Sequence, residues 1–464
     1  MAEKKIAANG LLWIFAIGQL GWSLLSGIIA SWLVFFFQPS AQELAAGQTL
    51  FLPQGTVLGV TAIGLITAAG RIFDAVTDPL IAGKSDSLRH RLGRRIPFMR
   101  IAAIPFGLSA VLMFCTPVSG ESGLNTAWLF VFAMLFYFCL TCYVTPYNAL
   151  IPELGRTQNA RINLSTFISV TYFFGTAIAY LVPNLAGLFA EKAGYAGSYR
   201  ITIAILAAFA VICMLIPAFL IDENTYADTE PSSASAFRSL TETFRNRAFR
   251  IFVCSDILYW IGLTLFQTGL SYYITVLMGL ESSMTFPLFA AMTVISLLCY
   301  PAVNALSKKI GKKKLIAFAF LFFSFAFLVT AGAGLTPVPP LAYGILVAVL
   351  AAVPMAILGI LPQAVVADIA EADKLKTGES RQGMFYAART FAYKIGQSAA
   401  MLLFTSIATI GREIPAGARG FGMGYRLTAL LAAVLCLLGG LVFLRYDEKR
   451  VLAEIHAGDP ESGA

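Results

Sequence analysis

Long apolar runs separated by short polar breaks dominate the chain from one end to the other. A run of about 20 apolar residues can cross a bilayer as a helix. Twelve such runs occur along the 464 residues, and they predict an all-α membrane protein with twelve transmembrane helices. The predicted helices 1 to 12 are Leu11–Phe37, Thr56–Ala82, Pro97–Pro117, Asn125–Leu150, Asn163–Ala190, Ser198–Ile221, Phe249–Leu277, Thr285–Leu306, Leu315–Leu335, Leu341–Val366, Gly383–Ile410 and Tyr425–Leu444.

One polar break is longer than the others and divides the twelve helices into two groups of six. It contains the acidic, proline-interrupted run DENTYADTEPSSASA, a composition typical of a linker. We therefore expect an N-terminal six-helix bundle at 1–221, a cytoplasmic linker at 222–248, a C-terminal bundle at 249–445 and a cytoplasmic tail at 446–464.

Two pairs of segments suggest that the halves are repeats. Helix 2 runs into DPLIAGKSDSLRHRLGRR and helix 8 into YPAVNALSKKIGKKK, each with a proline and then a glycine followed by basic residues. The 4–5 connection PYNALIPELGRTQNAR corresponds in the same way to the 10–11 connection LPQAVVADIAEADKLKTGESR. Six-plus-six repeats with a site between the halves are typical of the major facilitator fold, so we expect two pseudo-symmetric bundles.

The composition supports a membrane protein and argues against a nucleic-acid partner. Only 12% of the residues are charged and 58% are hydrophobic, whereas soluble domains carry about 25% charged residues. Most of the 33 Lys and Arg residues fall in alternate connections and at the termini. The positive-inside rule then predicts an inner-membrane protein with both termini in the cytoplasm, which explains the net charge of +8.

The sequence contains no arrangement typical of an enzyme. We find no catalytic triad, metal cluster or phosphate loop, and both histidines lie outside the apolar runs. The seven cysteines all fall in apolar segments, where packing is the simplest interpretation. We expect a transporter without a cofactor, and a monomer, because nothing marks an oligomer face.

Helix 2 carries the most informative charges. Arg71, Asp74 and Asp78 lie on one helical face inside an apolar run. Because a charge at membrane depth costs several kcal/mol, such residues are candidates for function. The two carboxylates offer hard oxygen ligands to a small cation or a proton. The alternative is an internal salt bridge with Arg71 that only orients the helix.

Other polar residues in the predicted helices are candidates for contact with a solute. Lys394 lies mid-way along helix 11, and we expect it either to contact an anionic solute or to bind carbonyls or the helix 2 aspartates. We expect Asp256 near the membrane interface, where it would meet a basic loop residue. Aromatic faces and amides suit sugar rings, although such residues often serve bundle packing instead. They are Gln19 and Trp22 on helix 1, Tyr147 and Asn148 on helix 4, Ser169 on helix 5, and Tyr259, Trp260 and Gln267 on helix 7.

The loops that follow helices 2 and 10 are candidates for gating. In the first, Asp86 can pair with arginines across the cytoplasmic seam or cap a helix N-terminus, and Arg94 and Arg95 are further candidates; in the second, Asp368 and Glu371 can form closing pairs. The alternative is that the basic residues only determine topology.

Three segments resemble the glycoside–pentoside–hexuronide:cation symporters, the melibiose permease-like group of the major facilitator superfamily. They are RIFDAVTDPLIAGKSDSLRHRLGRRIPF, TPYNALIPEL and VVADIAEADKLKTGESRQGMFYAARTFAYKIG. The resemblance implies symport of a solute with sodium, lithium or a proton. It assigns the cation site to Asp74, Asp78, Thr77 and Thr141, and the family's helix 2 arginine and helix 11 lysine to Arg71 and Lys394.

The sequence departs from the family at its sugar-binding positions. The family's carboxylates on helices 1 and 4 fall on Leu20 and Val144, its helix 4 tryptophan on Asn148 and its helix 5 arginine on Ser169. A galactoside is therefore not supported. We predict a symporter that couples sodium or proton entry to uptake of a sugar, glycoside or uronide. The alternative, implied by the same wider group, is an amphipathic lipid such as a lysophospholipid.

Overall fold

The computed structural model describes residues 6–57, 59–227, 243–377, 382–412, 414, 418 and 420–458. The chain divides into two compact units, Met1–Ala234 and Ser235–Ala464, and each is described by itself. The central part of the predicted linker, 228–242, lies outside the described residues. So do 378–381 of the predicted 10–11 connection and 459–464 of the predicted tail.

The first unit contains six long helices, numbered here α1 to α6. The unit also has a short hairpin, Thr56–Val57 with Val60–Thr61, and short helical segments at Ala41–Ala45, Val182–Gly187 and Glu223–Tyr226. The main packing contacts join α1 to α5 and α6, α4 to α2 and α3, and α3 to α6. The long helices are α1 Asn9–Phe37, α2 Ala62–Ser87, α3 Ile96–Phe114, α4 Gly123–Leu154, α5 Gln158–Tyr180 and α6 Ala190–Leu220.

The second unit repeats this arrangement with six further long helices and a shorter terminal one. Its main contacts join α7 to α11 and α12, α10 to α8 and α9, and α9 to α12. These are the helix pairs of the first unit shifted by six, so both units pack in the same order. The helices are α7 Arg247–Tyr272 with a π-helical turn at Tyr273–Leu277, α8 Thr285–Ile310, α9 Lys312–Ala331, α10 Pro340–Thr377, α11 Gln382–Ile407, α12 Met423–Phe443 and α13 Glu448–Gly458.

In the described residues, ten helices are long and apolar enough to cross a membrane by length and composition. The long helices α2 and α11 are not among these ten, although each has 26 residues. Both carry charged side chains in their middle turns, among them Asp74 on α2 and Lys394 on α11. The two long helices outside this group of ten are therefore those that carry Arg71, Asp74 and Asp78, and Lys394.

Several predicted helix boundaries were wrong. Helix α2 begins at Ala62 and not at Thr56, because Thr61 accepts a hydrogen bond from the Gly64 backbone N–H and caps the helix after the hairpin. The predicted helix 5 ends ten residues before Ala190, at Tyr180. Helices also continue past the apolar runs, where composition no longer marks them.

The ends of α2 and α10 correct the expected position of the gating residues. Helix α2 runs to Ser87 and α10 runs to Thr377. Asp86, Asp368 and Glu371 therefore lie in helical turns and not in loops. The apolar pattern could not show this, because these turns project polar side chains.

The glycine-plus-basic segments that suggested a repeat form the same structure in both units. At the start of α3, the backbone N–H groups of Arg94, Arg95 and Ile96 donate to the Glu223 carboxylate at 2.8–2.9 Å. At the start of α9, the N–H groups of Lys312 and Lys313 donate to Glu448 at 2.8 and 3.0 Å. These are charge-assisted caps of helix N-termini.

A glycine with positive φ precedes each of these caps. Gly93 has φ of 100° and Gly311 has φ of 86°, values that L side chains rarely adopt. A Cβ at Gly93 would also collide with the Glu223 side chain. The LGRR and IGKK motifs therefore share a backbone requirement, in addition to their positive charge.

Candidate functional site

The two helix α2 aspartates face helix α4, where two threonines meet them. The Thr141 hydroxyl donates to Asp74 Oδ1 at 2.8 Å, and the Thr145 hydroxyl donates to Asp78 Oδ1 at 3.1 Å. Asp74 is only 1% exposed, while Asp78 is half-buried. Asp74 and Asp78 are four residues apart on α2, and Thr141 and Thr145 are four residues apart on α4. One turn of α2 therefore lies beside one turn of α4.

Thr77 connects to the same cluster. Its hydroxyl lies 3.1 Å from the Thr141 hydroxyl and 2.9 Å from the Phe73 carbonyl oxygen. Thr77, Thr141 and Asp74 are all buried, and together they form a continuous chain of oxygens. Three of the four residues predicted for the cation site are thus joined by hydrogen bonds, and the fourth, Asp78, lies one turn further along α2, where it pairs with Thr145.

Thr145 is the residue of this cluster that sequence reasoning missed. Its signal was present in the segment TCYVTP, because Thr141 and Thr145 have the same four-residue spacing as Asp74 and Asp78. Matching the two spacings across a helix pair would have found it. Asp74, Asp78, Thr77, Thr141 and Thr145 are together called the oxygen cluster.

Arg71 lies one turn before Asp74 and packs on an aromatic ring of α4. Its guanidinium carbon is 5.3 Å from the centroid of the Tyr137 ring. Tyr137 is 1% exposed, and its ring also packs against Gly70, where any Cβ would collide with it. The cation–π contact fixes the guanidinium near the oxygen cluster.

Three of the predicted solute contacts are buried packing residues. The Tyr147 hydroxyl donates to the Phe15 carbonyl oxygen at 2.9 Å, and its ring stacks on Phe15 at 4.1 Å, so Tyr147 is completely enclosed between α4 and α1. Tyr259 is 5% exposed within a cluster of aromatic rings, and Gln19 is 4% exposed. Their burial agrees with the alternative of bundle packing, and contact of these three residues with a solute stays a prediction.

The two predicted tryptophans occupy equivalent places in the two units. Trp22 lies as far from the start of α1 at Asn9 as Trp260 lies from the start of α7 at Arg247. Trp22 approaches Tyr172 at 6.0 Å, and Trp260 stacks on Tyr393 at 4.5 Å. Both indole nitrogens are buried, and neither has a hydrogen-bond partner within the described residues.

The other predicted solute residues remain at least partly accessible. Asn148 and Ser169 are exposed, and the Ser169 hydroxyl donates to the Ser165 carbonyl oxygen of its own helix at 2.8 Å. Gln267 and Lys394 are half-buried. These side chains are candidates that the structure neither removes nor brings together.

Asp256 forms a buried ion pair that sequence reasoning misassigned. Arg389 donates from Nε to Oδ2 at 2.7 Å and from Nη2 to Oδ1 at 2.9 Å. Each residue is 5% exposed, and the guanidinium carbon lies 5.6 Å from the Phe252 ring centroid. The expectation of a basic loop partner was therefore wrong, because the partner of Asp256 is Arg389 on helix α11. The bidentate geometry joins α7 to α11.

The predicted gating residues form pairs inside their own units. Arg95 lies 3.7 Å from both Asp86 and Glu153, and Arg94 donates to the Asp86 carbonyl oxygen at 3.4 Å. In the second unit, Asp368 pairs with Lys312 at 2.5 Å and Glu371 with Lys374 at 3.2 Å. The first set ties together the ends of α2 and α4 and the start of α3.

Known proteins resemble this chain in both sequence and fold. The profile of the MFS/sugar transport protein family matches residues 14–449. An uncharacterized symporter of Synechocystis sp. is 24% identical, over 84% of this chain and 83% of that protein. The isoprimeverose transporter of Lactiplantibacillus pentosus is 22% identical, over 64% of this chain and 59% of that protein.

A shorter match and a solved structure complete the comparison. The sodium-dependent lysophosphatidylcholine symporter 1 of Xenopus tropicalis is 31% identical, over 26% of this chain and 23% of that protein. The crystal structure of a D-xylose-proton symporter superposes with a TM-score of 0.68 at 15% identity and covers 95% of this chain and 98% of that one. The chain therefore belongs to the MFS/sugar transport protein family, the glycoside–pentoside–hexuronide symporters, and is an integral membrane transporter of the major facilitator fold, not an enzyme.

Proposed function

We propose that the protein couples the inward movement of a cation, sodium or a proton, to the uptake of a sugar, glycoside or uronide by alternating access. The oxygen cluster between α2 and α4 is the single observation that carries this proposal. It consists of two hydrogen-bonded groups on the same pair of helices, Asp74 with Thr141 and Thr77, and one turn further along Asp78 with Thr145.

The cluster has a physical reason to bind a positive ion. Two carboxylates one turn apart, one of them 1% exposed, are unfavourable together when both are ionised. A bound cation relieves this repulsion. Sodium would use the hydroxyls as further oxygen ligands, since hard cations prefer several oxygens. A proton would instead leave one aspartate neutral and able to donate a hydrogen bond.

Sugars are the solute class best supported. The family is described as sugar transport proteins, and one relative is named an isoprimeverose transporter. The Trp22–Tyr172 and Trp260–Tyr393 pairs offer apolar ring faces, and each buried indole N–H has unused donor capacity in the described residues. Arg71, Lys394, Asn148, Ser169 and Gln267 complete the proposed solute-binding set, and the two cations among them favour an anionic sugar such as a uronide.

A lysophospholipid is the second candidate, and a specific observation favours it. The relative with 31% identity over part of the chain is named a sodium-dependent lysophosphatidylcholine symporter. An amphipathic solute would also present a phosphate to Arg71 or Lys394. The two candidates differ in the apolar area that the solute must bury.

The distribution of Lys and Arg supports an inner-membrane orientation with both termini in the cytoplasm. It follows that the gating pairs around Arg95 and Lys312 lie at the cytoplasmic end. We further propose that the monomer is the transporting unit.

Transport by the purified protein in proteoliposomes tests the proposal. A thermal-shift panel of isoprimeverose, methyl glycosides, glucuronate and lysophosphatidylcholine, in sodium or choline buffer, first selects the solute. Uptake is then driven by a sodium or a pH gradient. The Asp78→Asn variant should fold and lose accumulation against a gradient, whereas Glu121→Gln, at an exposed site, should accumulate normally. An Asp78→Asn protein that concentrates solute as well as the wild type would remove the cation-site assignment.

A further inference from the structure

A cavity of about 630 Å³ opens at one end of the second unit. It lies where α7 begins, where α10 and α12 end, and beside the terminal helix α13. Five basic and three acidic side chains line it, which gives a formal excess of two positive charges. All of these residues belong to the second unit.

The acidic side chains of this basic cavity are already engaged. Glu454 accepts a hydrogen bond from Arg450 at 3.1 Å, and Asp447 accepts one from the Arg450 backbone N–H at 3.1 Å at the start of α13. Asp373 is 9% exposed and accepts a hydrogen bond from the Asn246 side chain at 3.1 Å. Each of the three acidic side chains therefore already accepts a hydrogen bond from another residue that lines the cavity.

Four basic side chains of the cavity are not balanced in this way. Arg245, Arg247, Lys376 and Arg445 line it, and within the described residues none of them forms an ion pair. All four are exposed. Guanidinium groups are well suited to bind phosphate oxygens with paired N–H donors.

The positions of these basic side chains along the helices indicate their level in the bilayer. Arg247 is the first residue of α7, and Arg445 follows the last turn of α12 by two residues. Helix ends of this kind lie at the level of the lipid headgroups. Apolar side chains, among them Ile251 and Val451, also line the cavity and can accommodate the apolar part of a lipid beside the charged rim. Basic pockets between helix ends are recognised sites for anionic headgroups.

We propose that this basic cavity binds a phosphate group, as carried by an anionic phospholipid headgroup or by free phosphate. The inference goes beyond the proposed transport function, and it does not depend on the identity of the solute or the coupling cation. The positive-inside rule accounts for basic residues at this end of the protein. It does not account for the convergence of four basic side chains without an ion pair in the described residues on one cavity.

Native mass spectrometry of the purified full-length protein tests the site. Phosphatidylglycerol and phosphatidylcholine are added in turn, and inorganic phosphate is then used as a competitor. The wild type should retain phosphatidylglycerol in preference to phosphatidylcholine. The double variant Arg247→Gln/Arg445→Gln should bind phosphatidylglycerol at least about tenfold more weakly, as expected when two charge-assisted hydrogen-bonding groups are removed.

The matched control removes two positive charges from the same end of the unit but outside the cavity. Lys308 and Lys309 are exposed in the last turn of α8 and do not line the cavity. The Lys308→Gln/Lys309→Gln variant should therefore bind phosphatidylglycerol like the wild type. Equal losses in both double variants would show only a general charge effect and would overturn the proposal.

The remaining outcomes distinguish the sources of the phosphate. Competition of phosphatidylglycerol by inorganic phosphate at comparable concentration identifies free phosphate as a ligand, whereas its failure identifies the lipid. Binding of neither probe to the wild type would reject the site. If the arginine double variant fails to fold, the single Lys376→Gln variant replaces it, and its unchanged preference for phosphatidylglycerol would count against the proposal in the same way.

Discussion

Replacement of Thr145 by valine tests the part of the oxygen cluster that the sequence did not indicate. Valine has nearly the shape of threonine, so the change removes the hydroxyl that donates to Asp78 Oδ1 at 3.1 Å and leaves the packing almost intact. A hydrogen bond to a charged group contributes about 1.5–3 kcal/mol. Because Asp78 is half-buried, we take the lower end, which corresponds to about a tenfold change in cation affinity.

The sign of the change distinguishes the two coupling cations. If sodium binds, the variant loses an oxygen ligand and the sodium concentration for half-maximal uptake should rise about tenfold. If a proton binds, the ionised Asp78 loses a stabilising donor, the protonated form gains relative stability, and half-maximal activation should move to higher pH. The Thr145→Ser variant keeps the hydroxyl and should resemble the wild type in either case.

The assay is solute uptake into proteoliposomes as a function of sodium concentration and of pH. Thr166→Val provides the control, because the Thr166 hydroxyl is exposed and bonds only to the Ile162 carbonyl oxygen of its own helix at 2.9 Å in the described structure. Unchanged dependence on both cations in Thr145→Val, with loss of coupling in Thr141→Val, would refute a role for the second threonine and restrict the site to Asp74 and its neighbours.

Two further predictions concern the proposed solute site and the helix caps. Lys394→Ala should weaken binding of glucuronate more than binding of a neutral methyl glycoside, measured by thermal shift, and equal losses would exclude a direct charge contact. Glu223→Gln should lower the free energy of unfolding by about 2–3 kcal/mol, because a fully buried carboxylate that accepts three backbone N–H groups loses its charge. A melting temperature like that of Glu191→Gln, an exposed control, would contradict it.

The sequence predicted the number and order of the long helices because length and apolar composition decide whether a segment can span a membrane. It failed at helix ends, where different physics applies. The start of α2 depends on a threonine cap and a hairpin, and the extension of α10 to Thr377 depends on polar turns beyond the apolar run. Such ends are determined by local hydrogen bonds, which a composition window does not detect.

At the candidate site, the sequence singled out charged residues more directly than aromatic ones, and the role of both stays a prediction. Asp74 and Asp78 stood out because ionised groups in an apolar run require a partner, whereas Thr141 was indicated only by the family resemblance. Tyr147 and Tyr259 could not be assigned from sequence, because a tyrosine on a helix face can pack inside the bundle or contact a solute with the same sequence pattern. The Asp256–Arg389 pair was missed because its two members lie 133 residues apart in sequence, one on α7 and the other on α11. No local spacing therefore connects them.

The two units also show which features belong to the shared scaffold and which belong to the chemistry. Helices α2 and α4 pack together as α8 and α10 do. Each of the four helices contains an internal proline in this region, at Pro79, Pro146, Pro301 and Pro362.

Alignment of the two helix pairs on these prolines places Tyr300 where Asp78 stands and Leu361 where Thr145 stands. The second helix pair therefore packs in the same way without a carboxylate at the Asp78 position. The packing that the two helix pairs share therefore does not by itself explain the carboxylate at position 78. This comparison supports a functional role for Asp78 and also explains why Asp78→Asn and Thr145→Val should fold.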